Sequence, residues 1–208
     1  MNKLYKVLML IPILISGCNT RDLEDDIYSQ SIENFNMNIF STEGKKIFTI
    51  KSPYSSYNKE KNIFNLKETT IYLFKENVTE YIINSDNSKL SNNKKLLELK
   101  GNVLLKTLLR ENDVIYANSF TWNIDNSEYL LTGNVKLENN TIALSSNKAI
   151  LNKGNDIIEF FNPVKYIIKS SDNKNSYEIN SENAYYDINT KSVSFRSIEK
   201  RVRSKIYF

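Results

Sequence analysis

At 208 residues the chain has room for one ordinary domain with a core of its own. Its formal net charge of +4 is too small for the basic footprint of a nucleic-acid binder. Histidine is absent and Cys18 is the single cysteine, which excludes a His- or Cys-dependent nucleophile, a His/Cys metal cluster and an intrachain disulfide.

The chain opens with Lys3 and Lys6, an apolar run from Val7 to Ile15, and then Ser16-Gly17-Cys18. This pattern predicts a secretory signal over residues 1–17. The run falls well short of the roughly 20 residues a membrane-spanning helix needs. Ile15-Ser16-Gly17-Cys18 resembles the lipobox of bacterial lipoproteins, in which the cysteine is acylated, as with palmitate, and becomes the new amino terminus. That resemblance implies lipid attachment at Cys18. Residues 18–43, polar and acidic in RDLEDD, are expected to be a tether, with a short helix over Asp25–Phe35 as the alternative.

The body of the chain is expected to occupy residues 44–208 and to be all-β. In KIFTI the apolar residues alternate, and Pro53 marks a strand end or edge because it cannot donate to a ladder. Farther along, Phe64, Leu66, Tyr72 and Phe74 share one phase while Ile71 and Leu73 take the other, which predicts a strand covered on both faces. A motif then repeats: LELKGNVLLK at 97–106, YLLTGNVKLE at 129–138, and a degraded IEFFNPVKY at 158–166. Within each copy apolar residues fall on every second position, the period of a half-buried strand. Because the parity continues through Gly101 and Gly133, the Gly-Asn pairs read better as bends inside strands than as hairpin turns.

A second pattern, in which alternating large residues run into a small one and two positions are skipped, occurs five times. Its joints lie at Ser52/Ser55, Ser85/Ser88, Ala117/Phe120, Ser146/Ala149 and Ser181/Ala184, stepping by 33, 32, 29 and 35 residues. Repeats of this period are stacked units that share a core with their neighbours. After Val193 and Phe195 the pattern gives way to Arg196, Lys200, Arg201, Arg203 and Lys205. Such a run is either an edge strand protected by charge or a docking edge for a partner strand. Acidic residues such as Glu98, Glu138 and Glu159 occupy the outward phase, so no paired carboxylates for glycoside hydrolysis stand out. The chain is not expected to be an enzyme or to need a cofactor.

Strand repeats of about 30 residues with L-x-L-x-G-N-V after a small-residue joint resemble the LptC/LptA (OstA-like) family of lipopolysaccharide transport, over residues 43–195. In size and layout the chain is most similar to the LptC branch. The resemblance implies an OstA-like β-jellyroll, an open twisted sandwich of antiparallel strands whose apolar interior shields acyl chains. It places Gly44 in a motif at the transporter-facing edge, Phe64 beside the acyl chains and Ala184 at a small position of the later repeats. Together with the inward phase, it makes Leu66, Leu99, Val103, Phe120, Trp122, Leu131, Val135, Phe160, Val164, Ile179 and Tyr186 the further lining of a trough for lipid A acyl chains. An ordinary filled core is the alternative for the same residues. The implied partners are lipopolysaccharide, the export ABC transporter subunits LptB, LptF and LptG, and an LptA-like bridge, at the periplasmic face of the inner membrane. A lipobox stands here where many members carry a transmembrane helix. The competing function is a β-sandwich or β-helix lipoprotein that binds polysaccharide or serves adhesion.

Overall fold

The structure, a computed structural model, describes residues 29–91, 93, 95–108, 113–126, 128–152, 154–161, 163–169, 175–199 and 201–206. The expected signal segment and Cys18 lie outside the described residues. Among those residues one antiparallel sheet contains β1 (Ser29–Phe40), β2 (Lys46–Asn58), β3 (Ile63–Lys75), β4 (Val78–Ser91), β5 (Leu96–Thr107), β6 (Val114–Asn123) and β7 (Glu128–Glu138). It continues through β8 (Ile142–Asn152), β9 (Ile157–Phe161), β10 (Val164–Lys169), β11 (Asn175–Ser181), β12 (Asn183–Asp187), β13 (Val193–Arg196) and β14 (Arg203–Ile206). From β1 to β8 each strand pairs with the next in sequence.

Most of the long strands bend near their middle. In β5 and β7 the bend falls at Gly-Asn, where Gly101 and Asn102 (φ +78° and +44°) and Gly133 and Asn134 (φ +74° and +49°) are left-handed. Glycine accepts that conformation freely and asparagine tolerates it. Both strands run on through the pair, so it is a bend and not a turn. The pairing register shifts at the same places in the neighbouring strands, between Asn84 and Asn87 and between Tyr116 and Ser119.

An interrupted ladder strands backbone groups that then need a partner. The joint serines supply one. Ser52, Ser85, Ser146 and Ser181 each donate through Oγ to the carbonyl two residues ahead, at 2.7, 3.3, 2.8 and 3.0 Å. Short hydroxyl side chains suit this local bond to the backbone.

The bends place the two halves of each strand in different layers. Layer one takes the first halves of β2, β4, β6 and β8 and the second halves of β3, β5 and β7; layer two takes the complementary halves. Phe48 on β2 and Trp122 on β6 are four strands apart, about 19 Å in a flat sheet. Their rings instead meet edge to face at 5.1 Å, so the sheet folds over onto itself. At β8 the sheet forks: Ile142–Ser145 pair with β10, which leads to β11 and β14, while Lys148–Asn152 pair with β9, which leads to β12 and β13. The third repeat breaks between Phe161 and Val164, where Pro163 has no N–H to give. Across the fork, Tyr166 of β10 touches Phe195 of β13 at 5.3 Å. The result is the open twisted antiparallel sandwich that the resemblance implied.

Two expectations are corrected. Residues 29–40, assigned to the tether or a helix, form the edge strand β1. Asn34 is left-handed (φ 53°), and the inward phase switches there from Ile32 to Phe35, Met37 and Ile39, so no single period runs through the stretch. In β3 the expected two-sided covering is a phase change at Glu68 (φ 51°): Leu66, Ile71 and Leu73 are all buried, while Tyr72 and Phe74 face out beneath Lys51 and Lys46.

A Cβ on Gly133 would lie 2.9 Å from Asn118 Cβ and 2.8 Å from its amide nitrogen. With the left-handed backbone added, Gly133→Ala is expected to cost roughly 1–3 kcal/mol, measured by denaturant unfolding. A second expectation concerns pH. The Glu138 carboxyl is held below the ordinary carboxylate range by Lys136, at 2.7 Å, and then by Lys169. Its stabilisation is therefore complete above the unfolded carboxyl's pKa and fades as the pH falls through the folded value. Glu138→Gln should remove that acid-side slope at a cost below about 1 kcal/mol at neutral pH, the range of exposed pairs.

Candidate functional site

The interior between the layers is built by the inward phase of every repeat. Leu66, Leu99, Val103, Phe120, Trp122, Leu131, Val135, Phe160, Val164, Ala184 and Tyr186 all fall in one buried core, none more than 3 % exposed. Phe64 and Ile179 are half-buried. Gly44 is elsewhere: it is exposed in the β1–β2 turn, where its N–H donates to Ser41 O at 2.9 Å and a Cβ added to it would meet no atom within 4 Å.

These exposures do not describe a trough open along its length. The middle is closed, because large rings from both layers fill it: Trp122 lies between Phe48 and Tyr129, at 5.1 and 5.2 Å, and Phe120 meets Tyr129 at 5.5 Å. Alternation marks which side chains turn inward, and it is silent on whether they meet one another or enclose a space.

The two ends differ from the middle. At the β1 end, Phe64 stacks on Tyr57 at 4.5 Å and touches Phe35 of the edge strand at 5.3 Å, and all three rings are half-buried. At the far end Tyr166, Ile179, Val193 and Phe195 are half-buried in the same way, and burial raises the Tyr166 phenol. Phe35 was missed in the sequence because it sits just past the phase change at Asn34. The interior thus has a sealed waist and an apolar mouth at either end.

Polar clasps hold the layers together along one side. Lys75, at the end of β3, lies 3.7 Å from both Glu80 Oε1 and Asp156 Oδ2, and Asn189 donates to the same Asp156 oxygen at 3.3 Å. Asp113, at 2 % exposure, accepts from Tyr186 OH at 2.7 Å and from Asn139 Nδ2 at 2.8 Å. The nearby Tyr129 phenol is pushed well above its ordinary range, chiefly by burial and then by Tyr81 and Glu80. Among the described residues no three His, Cys, Asp or Glu gather as a metal site.

Residues 15–137, reaching to the end of β7, match the family described as lipopolysaccharide-assembly, LptC-related. A search of curated proteins finds no match. Among solved structures, one similar chain is LptH from Pseudomonas aeruginosa, described as the LptA homologous periplasmic component of the conserved lipopolysaccharide transport device. It aligns with a TM-score of 0.48 at 12% identity, over 61% of this chain and 94% of that one.

Removing the clasp tests its contribution. Tyr186→Phe deletes a hydrogen bond to a buried carboxylate and should cost about 1–3 kcal/mol, read as a lower thermal midpoint. Tyr185→Phe, on the opposite phase of β12, should stay within about 0.5 kcal/mol of the parent.

Proposed function

The chain belongs to the lipopolysaccharide-assembly, LptC-related family, and on that premise we propose that it is a membrane-anchored periplasmic component of lipopolysaccharide export. It receives lipopolysaccharide from the inner-membrane ABC transporter (LptB, LptF and LptG) and passes it to an LptA-like bridge. Cys18 carries the lipid anchor at the periplasmic face of the inner membrane, each buried CH₂ of its acyl chains contributing about 0.8 kcal/mol. The observation that carries the mechanism is the sealed waist between two half-buried aromatic mouths.

Acyl chains enter at the mouth formed by Phe35, Tyr57 and Phe64 and advance as the layers part. A tail of a dozen methylenes gains roughly 10 kcal/mol on full burial. Parting the layers costs the contacts of the core side chains, and the tail offsets that loss by taking their place. Exchange of one apolar contact for another keeps the net affinity modest enough for handover. The work of moving the lipid comes from ATP hydrolysis in the transporter, so this chain supplies a path and no bond-making group. Among the described residues β1 at one end and β13 and β14 at the other each pair with one strand, which leaves an edge on which partners can add strands.

A photo-crosslinking residue at position 64 should label lipopolysaccharide in cells. Placed at the exposed, outward-facing position 116, the same residue should not. Equal labelling at both positions, or none at 64 with normal expression, contradicts entry at this mouth. Deleting residues 196–208 should abolish capture of an LptA-like partner in a pull-down, and undiminished capture would move the docking edge elsewhere.

A further inference from the structure

The outer face of layer two carries a cleft of about 840 Å³, lined mostly by outward-phase residues together with the inward-phase Ser55, Leu66 and Ser88. Its size is that of a small-molecule site. Strand pairing lays its lining out in two rows. One row runs Tyr54, Lys67, Asn87, Lys100 across β2 to β5; the other, two residues along, runs Ser56, Asn65, Lys89, Glu98, with Ser31 of β1 beside Ser56. Strand spacing therefore sets Lys67 and Lys100 about 10 Å apart across Asn87, with Lys89 diagonal to both.

The ion pairing of the lysines is the first pointer to a ligand. Lys75, Lys95, Lys136, Lys165 and Lys169 each have a carboxylate partner. Lys67, Lys89 and Lys100 are exposed and form no ion pair among the described residues, although Glu98 is directly across from Lys89 and Glu68 also lines the cleft. Three ammonium groups converging on one concavity, each with three donors, suit a dianionic group such as phosphate. The second pointer is Tyr54, which is 59 % exposed at the end of the Lys67 row. An apolar ring face flanked by amides, hydroxyls and carboxylates provides stacking and both hydrogen-bonding senses, the combination a sugar ring requires. Phosphate alone has no use for the ring or for the two glutamates.

We propose that this cleft binds a phosphorylated saccharide, with Lys67, Lys89 and Lys100 holding the phosphate and Tyr54 covering a sugar face. The same chemistry is presented by a free sugar phosphate and by the headgroup of a phosphorylated glycolipid. The site lies on the opposite face of the sheet from Phe64, so its failure would leave the lipid path through the interior standing, and the converse holds.

The test is calorimetric titration of the full chain in phosphatidylcholine nanodiscs with glucose 6-phosphate, glucose and inorganic phosphate, and then with vesicles bearing a phosphorylated glycolipid. Glucose 6-phosphate should bind at least about tenfold tighter than glucose or phosphate. The triple variant Lys67→Gln/Lys89→Gln/Lys100→Gln should lose at least about tenfold in affinity with an unchanged melting temperature. Tyr54→Ala should erase the preference for the sugar phosphate over phosphate while leaving phosphate binding intact. Lysine-dependent binding of the vesicles in preference to the free sugar phosphate identifies a glycolipid headgroup, and the reverse preference a soluble ligand. The proposal is overturned if none of the probes binds, if the triple variant binds as the parent does, or if phosphate equals glucose 6-phosphate and Tyr54→Ala is silent.

Discussion

The bend in the middle of most of the long strands is the constraint on which the rest of the molecule depends. A straight meander would be a flat sheet with one apolar face in water. Bent strand by strand, the same meander becomes two layers with those faces turned toward each other. The bend interrupts the ladder, and it persists because local chemistry satisfies what it leaves unpaired. Joint serines reach the carbonyl two residues ahead on β2, β4, β8 and β11, and left-handed Gly-Asn pairs turn β5 and β7. Once the halves are apart, Phe48 can meet Trp122 and Tyr186 can reach Asp113, contacts that no planar sheet allows.

Much of this was legible in the sequence, because small-residue joints and alternating apolar residues are local signals that local physics obeys. The bends at Gly101 and Gly133 could be read from parity alone. What escaped did so for identifiable reasons. In β1 the joint is built from Ile32 and Phe35 in place of small residues, so the strand resembled a tether. In β3 a single left-handed Glu68 switches the inward phase, and two half-strands on one face looked like one strand covered on two. Gly44, which the resemblance placed at the transporter-facing edge, is an exposed glycine in the turn between β1 and β2. The largest gap concerned the interior itself: a pattern of inward residues fixes their direction and leaves open what they meet.

What they meet is each other. The rings of Phe48, Phe120, Trp122 and Tyr129 close the waist, while the half-buried rings at the two ends leave it approachable. On the function proposed above, this geometry turns lipid handling into a competition between two sets of apolar contacts. Such a core buries its apolar side chains against one another, which spares the chain a large exposed greasy face. On that proposal it also releases what it takes in, since neither state wins by the full burial energy of a tail.

Trp122 is the chain's only tryptophan, and it lies inside the waist. Its fluorescence in the presence of lipopolysaccharide carrying brominated acyl chains is the most direct measure of whether hydrocarbon gets there. The account predicts strong quenching that brominated headgroup analogues do not reproduce. Stable binding of the brominated lipid with Trp122 emission unchanged would contradict it, and would leave the interior as a structural core alone.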